Sequence, residues 1–235
     1  MPQPHPKAPL QAVVFDAYGT LLDVHGAMAR HADQLPPDWE RISAEWRQKQ
    51  LEYTWVRTLT GPAHHRDFWN LTRDSLHYVA ARHKITSPAV LDTVLDAYRR
   101  LPAYEDAAPT LAALRATGIR TAILSNGEPG MMADAVASAR LTGLLDAVIS
   151  VEDAGVFKPH PSAYALAEAA LGLPAAAMGF VSSNAWDAQA AAAYGFRVFW
   201  CNRANLPVEY GLGRSATTMS GLADLPALLA PAPTA

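Results

Sequence analysis

The chain has 235 residues, half of them hydrophobic, with a formal net charge of −3 and a single cysteine. At about 100 to 200 residues per domain this suits one globular domain, or one domain carrying a large insertion. A weakly acidic chain without a long basic run gives no electrostatic reason to expect nucleic acid or an anionic membrane, so a small molecule is the expected partner.

The opening "MPQPHPKAPL" is proline-broken and lacks the apolar core of a signal peptide, and no uncharged run of about 20 apolar residues follows. Residues 1–7 and 231–235 read as tails. Cys201 lies in the apolar "FRVFWC", where a buried thiol is expected, and one cysteine cannot form an internal disulfide. A cytoplasmic location is the expectation.

The first element is "VVF", Val13 to Phe15, a short apolar run that ends on Asp16 and turns through Ala17, Tyr18 and Gly19 to Thr20. Such a run closed by a glycine turn reads as a buried strand, with Asp16 at its carboxyl end. From about Val24 to Leu101 the rhythm changes. "DWERISAEWRQKQLEYTWVRTL", "HRDFWNLTRDSLHYVAARH" and "SPAVLDTVLDAYRRL" carry apolar or aromatic residues three and four apart, with no strand between them. These stretches predict a helical insertion, with Trp39, Trp46, Trp55 and Trp69 largely its own core. After it, "IRTAILS", "DAVIS", "AAMGFVS" and "FRVFWC" are further apolar runs. They alternate with helical spacing over 110–117, 131–140, 162–171 and 187–194, and Gly118, Gly143, Gly172 and Gly195 mark helix ends.

Strands alternating with helices predict an α/β fold, a Rossmann-like doubly wound parallel sheet with a helical cap subdomain inserted after the first strand. The expected division is a discontinuous core, 8–23 with 102–230, and a cap, 24–101. Ligands of such sheets bind beyond the carboxyl ends of the strands. That edge would gather Asp16 and Thr20, then Ser125 and Asn126, then Lys158, then Ser182, Ser183, Asn184, Trp186 and Asp187. Singly, these residues could be a turn, a helix cap or a surface charge; together, two carboxylates, a lysine and several hydroxyl and amide groups form a set able to do acid, base and nucleophile chemistry. His64 and His65 are adjacent and lack the i, i+4 spacing of a helical metal pair.

The order DxxxT, Ser-Asn, Lys-Pro and a final Asp at a helix start resembles the haloacid dehalogenase superfamily, whose members use an aspartate nucleophile and are mostly magnesium-dependent phosphotransferases. Two positions depart from the phosphotransferase pattern: Tyr18 stands where an acid/base aspartate would be, and Ser183 where a metal-binding aspartate would fall. A carboxylate attacking a phosphate needs a cation to offset the repulsion, so these changes argue against both metal and phosphoryl transfer. The wording "FDAYGTLLDVHG", "EWRQKQLEYTW", "LSNG", "FKPHPSAY" and "FVSSNAWDA" is instead similar to the (S)-2-haloacid dehalogenase branch.

That resemblance implies a metal- and cofactor-free hydrolase that converts (S)-2-haloalkanoic acids into (R)-2-hydroxyalkanoic acids through an aspartyl ester, and it implies a homodimer. Asp16 would be the nucleophile, ionised at neutral pH as ordinary carboxylates are. Arg47 and Asn126 would bind the leaving halide, Ser125 with neighbouring backbone N–H groups the substrate carboxylate, and Ala17 would also border the substrate. Tyr18, Leu51, Phe68 and Trp186 would wall the alkyl part. Asp187 would be the base for ester hydrolysis, with Lys158, Ser182 and Asn184 around it and Thr20 and Tyr164 orienting the network. His160 replaces the more usual aspartate in "KPHP", a change expected to spare the core chemistry and to alter only the surroundings of Lys158. The alternatives are a metal-dependent phosphatase of the same superfamily, or a non-catalytic protein that binds a small carboxylate.

Overall fold

The computed structural model describes residues 9–230; both expected tails, and residue 8 of the expected core, lie outside them. Val13, Val14 and Phe15 are fully buried because β1 (Ala12–Phe15) runs through the middle of the sheet with neighbours on both sides. All six strands pair in parallel: β2 (Arg120–Ser125), β3 (Ala147–Ser150), β4 (Met178–Ser182), β5 (Arg197–Cys201) and β6 (Ala216–Met219) join β1 in the order β3-β2-β1-β4-β5-β6. The chain builds outward from β1 to β3, returns to β1's other side at β4, and builds outward again to β6. The strand order therefore reverses between β1 and β4, which opens a crevice beyond their carboxyl ends.

The apolar runs of the sequence account for five strands. The sixth is missing from that reading because "ATTM" is short, keeps two residues in solvent and covers only the sheet edge, so it has no continuous apolar signal.

The insertion contains α1 (Gly26–Ala29), α2 (Trp39–Leu59), α3 (Phe68–Arg82) and α4 (Pro88–Arg99). Local chemistry starts two of these helices: Asp67 accepts from the Asn70 N–H at 2.7 Å, and Ser87 accepts from the Val90 N–H with Pro88 at the first helical position. Trp46 locks α2 onto α3 by donating its indole N–H to the Thr72 carbonyl and the Ser75 hydroxyl. Leaving and returning segments lie side by side: the Asp23 N–H donates to the Pro102 carbonyl and the Tyr104 N–H to the Leu21 carbonyl, both at 2.9 Å.

Around the sheet lie α5 (Ala107–Ala116), α6 (Pro129–Ser138), α7 (Pro161–Leu171), α8 (Ala185–Tyr194) and the short α9 (Leu212–Ser215) and α10 (Leu225–Leu229). Gly172 ends α7 in the left-handed conformation that glycine adopts without a Cβ penalty. Among the described residues no helix is long and apolar enough to cross a membrane.

Candidate active site

Asp16 leaves β1 with its N–H donating to the Val181 carbonyl of β4, so the backbone of the crevice itself aims its side chain. Its two carboxylate oxygens are in different surroundings. Oδ2 accepts from the Thr20 hydroxyl at 3.0 Å and the Asn184 amide at 2.8 Å, whereas among the described residues Oδ1 accepts only from Lys158 Nζ, at 3.2 Å. Each of these donors is held in turn. Thr20 Oγ1 accepts from the Ser183 N–H, and Asn184, at the start of α8, also donates to the Tyr18 carbonyl.

Lys158 is 1% exposed and Asp187 is fully buried, and the ammonium bridges Asp187 Oδ2 at 3.0 Å to Asp16 Oδ1. Tyr164 donates to the other oxygen of Asp187 at 2.6 Å. Burial pushes the Asp187 carboxyl above its ordinary range, Lys158 opposes the shift, and the Asp16 charge reinforces it. Burial likewise drives the Tyr164 phenol well up, with Asp187 beside it adding to the rise, so Tyr164 is a fixed donor. Ser182 does not touch either carboxylate; its hydroxyl accepts from the Asn184 N–H at 3.1 Å and shapes the turn into α8. Among the described residues His160 makes no hydrogen bond to the ammonium. It is exposed at the start of α7, where its ring nitrogen accepts from the Ser162 N–H, a capping contact of the kind an aspartate makes.

The cap closes the other side of the crevice. A small, narrow cleft is lined by Asp16, Tyr18, Arg47, Leu51, Phe68, Ser125, Asn126, Lys158 and Trp186. Arg47 reaches down from α2 to donate to the Tyr18 carbonyl at 3.0 Å and to Gln50 Oε1 at 2.7 Å; both acceptors are neutral, so its charge is left for the cleft. Asn126 accepts the Lys158 N–H through Oδ1, which turns its NH₂ away from that bond, and the Ser125 hydroxyl accepts from the Gly127 N–H. Ala17 is buried behind the cleft wall with its carbonyl accepting three N–H groups of the following turn; among the described residues the N–H groups of Ala17 and Tyr18 donate to no protein acceptor. Two aromatic groups border the site: Tyr18 stacks on Tyr98 and leans on Phe68, and Trp186 meets Trp55 edge-on.

A carboxylate and a guanidinium line one cleft, Arg47 without an acidic partner among the described residues, and a second, buried carboxylate stands behind the Lys158 ammonium; such a set can support a displacement followed by hydrolysis. A family model for haloacid dehalogenase-like hydrolases matches residues 10–195. The chain belongs to the haloacid dehalogenase-like hydrolases. Among the relatives, it is 44% identical over 222 residues to (S)-2-haloacid dehalogenase 1 of Pseudomonas sp. strain CBS-3, covering 94% of this chain and 97% of that protein. A crystal structure of a dehalogenase superposes with a TM-score of 0.90 at 41% identity, covering 95% and 98% of the two chains. The L-2-haloacid dehalogenase of Xanthobacter autotrophicus, solved with chloropropionic acid covalently bound, superposes with a TM-score of 0.82 at 38% identity, covering 94% and 98%.

Within this haloacid dehalogenase-like family the metal question is decided here by the donor set. A divalent cation wants several oxygens on one centre. In this site the Lys158 ammonium sits between the two carboxylates, position 18 is a tyrosine whose side chain packs on aromatic rings, and Ser183 brings no carboxylate. These residues do not fit magnesium.

Reading the sequence alone misses the residues that hold the cap side in place. Gln50 and Tyr98 join the Arg47 network, and Glu152 accepts the Phe68 N–H at 3.3 Å while its other oxygen lies 2.8 Å from His65 Nε2. In "RQKQ" Gln50 looks like one more solvated polar residue; its one signal is the spacing of four from the buried Trp46.

Proposed function

We propose that this protein hydrolyses (S)-2-haloalkanoic acids to (R)-2-hydroxyalkanoic acids and halide through an ester on Asp16. The observation that carries the reading is the asymmetry at Asp16 beside a cleft: one oxygen is fixed by Thr20 and Asn184, the other meets Lys158, and the residue lines a cleft together with Arg47, which has no acidic partner among the described residues.

Asp16 Oδ1 attacks the α-carbon from the side opposite the halogen, the carbon–halogen bond breaks with its electron pair, and the centre inverts. Arg47 and the Asn126 NH₂ supply donors where the halide charge grows, in a cleft whose apolar walls keep the local dielectric low. The substrate carboxylate is oriented by the Ser125 hydroxyl and the N–H groups of Ala17 and Tyr18, while Tyr18, Leu51, Phe68 and Trp186 enclose the alkyl chain. Water then adds to the Asp16 carboxyl carbon. Asp187 takes one proton from it and passes it to the departing alkoxide, and the second proton is released as Asp16 returns to the carboxylate. The raised pKa of Asp187 makes it the stronger base for that step, and Lys158 holds the two carboxylates apart while Tyr164 fixes the ring of contacts. Ser182 acts through the position of Asn184.

The test is halide release from (S)-2-chloropropionate in EDTA, for the wild type and Asp16→Asn side by side, with a generic phosphoester as control. Halide and (R)-lactate from the wild type alone support the ester route. Magnesium-dependent phosphate release without halide refutes it, and binding of the haloacid without turnover marks a non-catalytic protein. The same reading takes 8–23 with 102–230 as the catalytic core and 24–101 as its cap. It also includes a homodimer, checked by sedimentation, and a cytoplasmic location, which suits the single buried thiol of Cys201.

A further inference from the structure

Gln50 is 1% exposed in the interior of the cap, and every polar atom of its amide is engaged. Oε1 accepts from Arg47 at 2.7 Å and from the Tyr98 hydroxyl at 3.1 Å, and Nε2 donates to Thr72 Oγ1 at 2.7 Å. The Thr72 hydroxyl has one proton and gives it to the Phe68 carbonyl, also at 2.7 Å. One amide therefore connects Arg47 on α2, Phe68 at the start of α3 and Tyr98 on α4. Arg47 and Phe68 line the cleft directly, and Tyr98 stacks on Tyr18, which does too.

We propose that Gln50 is a positioning residue for dehalogenation: it fixes the plane of the Arg47 guanidinium over the departing halide without neutralising it. The proposal rests on Arg47 serving the halide, as set out under the proposed function. A guanidinium is a rigid planar fork, so two acceptors, Gln50 on the cap and the Tyr18 carbonyl on the core, define how its remaining N–H groups face the cleft. Both acceptors are neutral. A glutamate at position 50 would bond Arg47 as well, but its charge would compete with the halide for the same cation in a buried place. It would also bring an acceptor to Thr72 Oγ1, whose proton is already committed to Phe68, so the link between α2 and α3 would open. Glutamine alone supplies a neutral acceptor on one side and a donor on the other.

The experiment compares the wild type, Gln50→Leu, Gln50→Glu, Arg47→Ala and the double variant Arg47→Ala/Gln50→Leu. Four quantities are measured: kcat and KM for (S)-2-chloropropionate, bromide affinity from tryptophan fluorescence (Trp186 lines the cleft), and thermal melting. Losing one charge-assisted hydrogen bond predicts about tenfold lower kcat and about tenfold weaker bromide binding in Gln50→Leu, with KM changed far less. Gln50→Glu loses as much at pH 8 and recovers as the pH falls and the new carboxyl takes a proton. In the Arg47→Ala background the second change has no further effect on kcat or bromide. Wild-type kcat and bromide affinity in Gln50→Leu overturn the proposal, as does an equal proportional loss with and without Arg47, which would mark a merely structural role. Should Gln50→Leu not fold, Gln50→Glu decides alone, and a bromide affinity equal to that of the wild type from pH 6 to 8 overturns it. Absence of halide release from the wild type would refute the functional reading instead, while the bromide titration still decides the role of Gln50.

Discussion

Replacing Lys158 by methionine keeps the length of the side chain and removes the ammonium that lies 3.0 Å from Asp187 Oδ2 and 3.2 Å from Asp16 Oδ1. At an effective dielectric near 20, each contact at about 3 Å is worth roughly 5 kcal/mol of attraction, most of it offset by the cost of drying the charges. Removing one partner of such a buried set leaves the others uncompensated, and the expected loss of stability near neutral pH is about 3–5 kcal/mol. The loss depends on pH. Burial already raises the Asp187 carboxyl above its ordinary 3.8, and Lys158 is the largest influence lowering it again, so the substitution raises it further. A group whose folded pKa is raised contributes stability that is complete below the unfolded pKa and is lost as the pH climbs through the folded one. Methionine at position 158 therefore costs most at pH 7.5 and progressively less toward pH 5, as a proton on Asp187 takes over part of the role of the ammonium. Urea unfolding of wild type and variant at both pH values measures this. A difference under about 1 kcal/mol at pH 7.5, or one that is the same at pH 5, would refute the reasoning.

Tyr164→Phe removes the 2.6 Å hydrogen bond that helps keep Asp187 ionised, so kcat should fall about tenfold at neutral pH. Because that bond lowers the Asp187 pKa, the acidic limb of the pH–rate profile should move to higher pH, with a larger loss at pH 6 than at pH 9. Tyr18→Phe deletes a buried hydroxyl that has no hydrogen-bond partner among the described residues while keeping the ring that packs on Tyr98 and Phe68; stability in thermal unfolding should hold or rise by up to about 1 kcal/mol. Gly127→Ala brings a Cβ to 2.8 Å from both the Met132 side chain and the Tyr18 ring, so it should cost about 1–3 kcal/mol in denaturant unfolding and weaken substrate binding by displacing Tyr18.

Periodicity and punctuation in the chain were enough to place five parallel strands, the helical insertion and the sheet edge where Asp16, Lys158 and Asp187 meet. Buried strands read as continuous apolar runs, amphipathic helices repeat every three to four residues, and side chains that follow strand ends in such a sheet must converge. Asp16, Thr20, Lys158 and Asp187 are legible for that reason. The strand β6 is not, because its two exposed residues give the pattern of an ordinary turn.

Other features depend on contacts between segments far apart in the chain, which no local pattern encodes. Ser182 and Asn184 look alike in "SSNAWD", yet one shapes a turn and the other donates to Asp16, a difference set by which way the entry to α8 faces β1. Gln50 is polar in a polar stretch, and only the packing of α2 against α3 and α4 buries it and fills its bonds. The sequence determined which residues reach the edge of the sheet, because burial and period fix each element locally. The tertiary structure decided which donor serves which oxygen, because a hydrogen bond is directional and its partner arrives from another part of the chain.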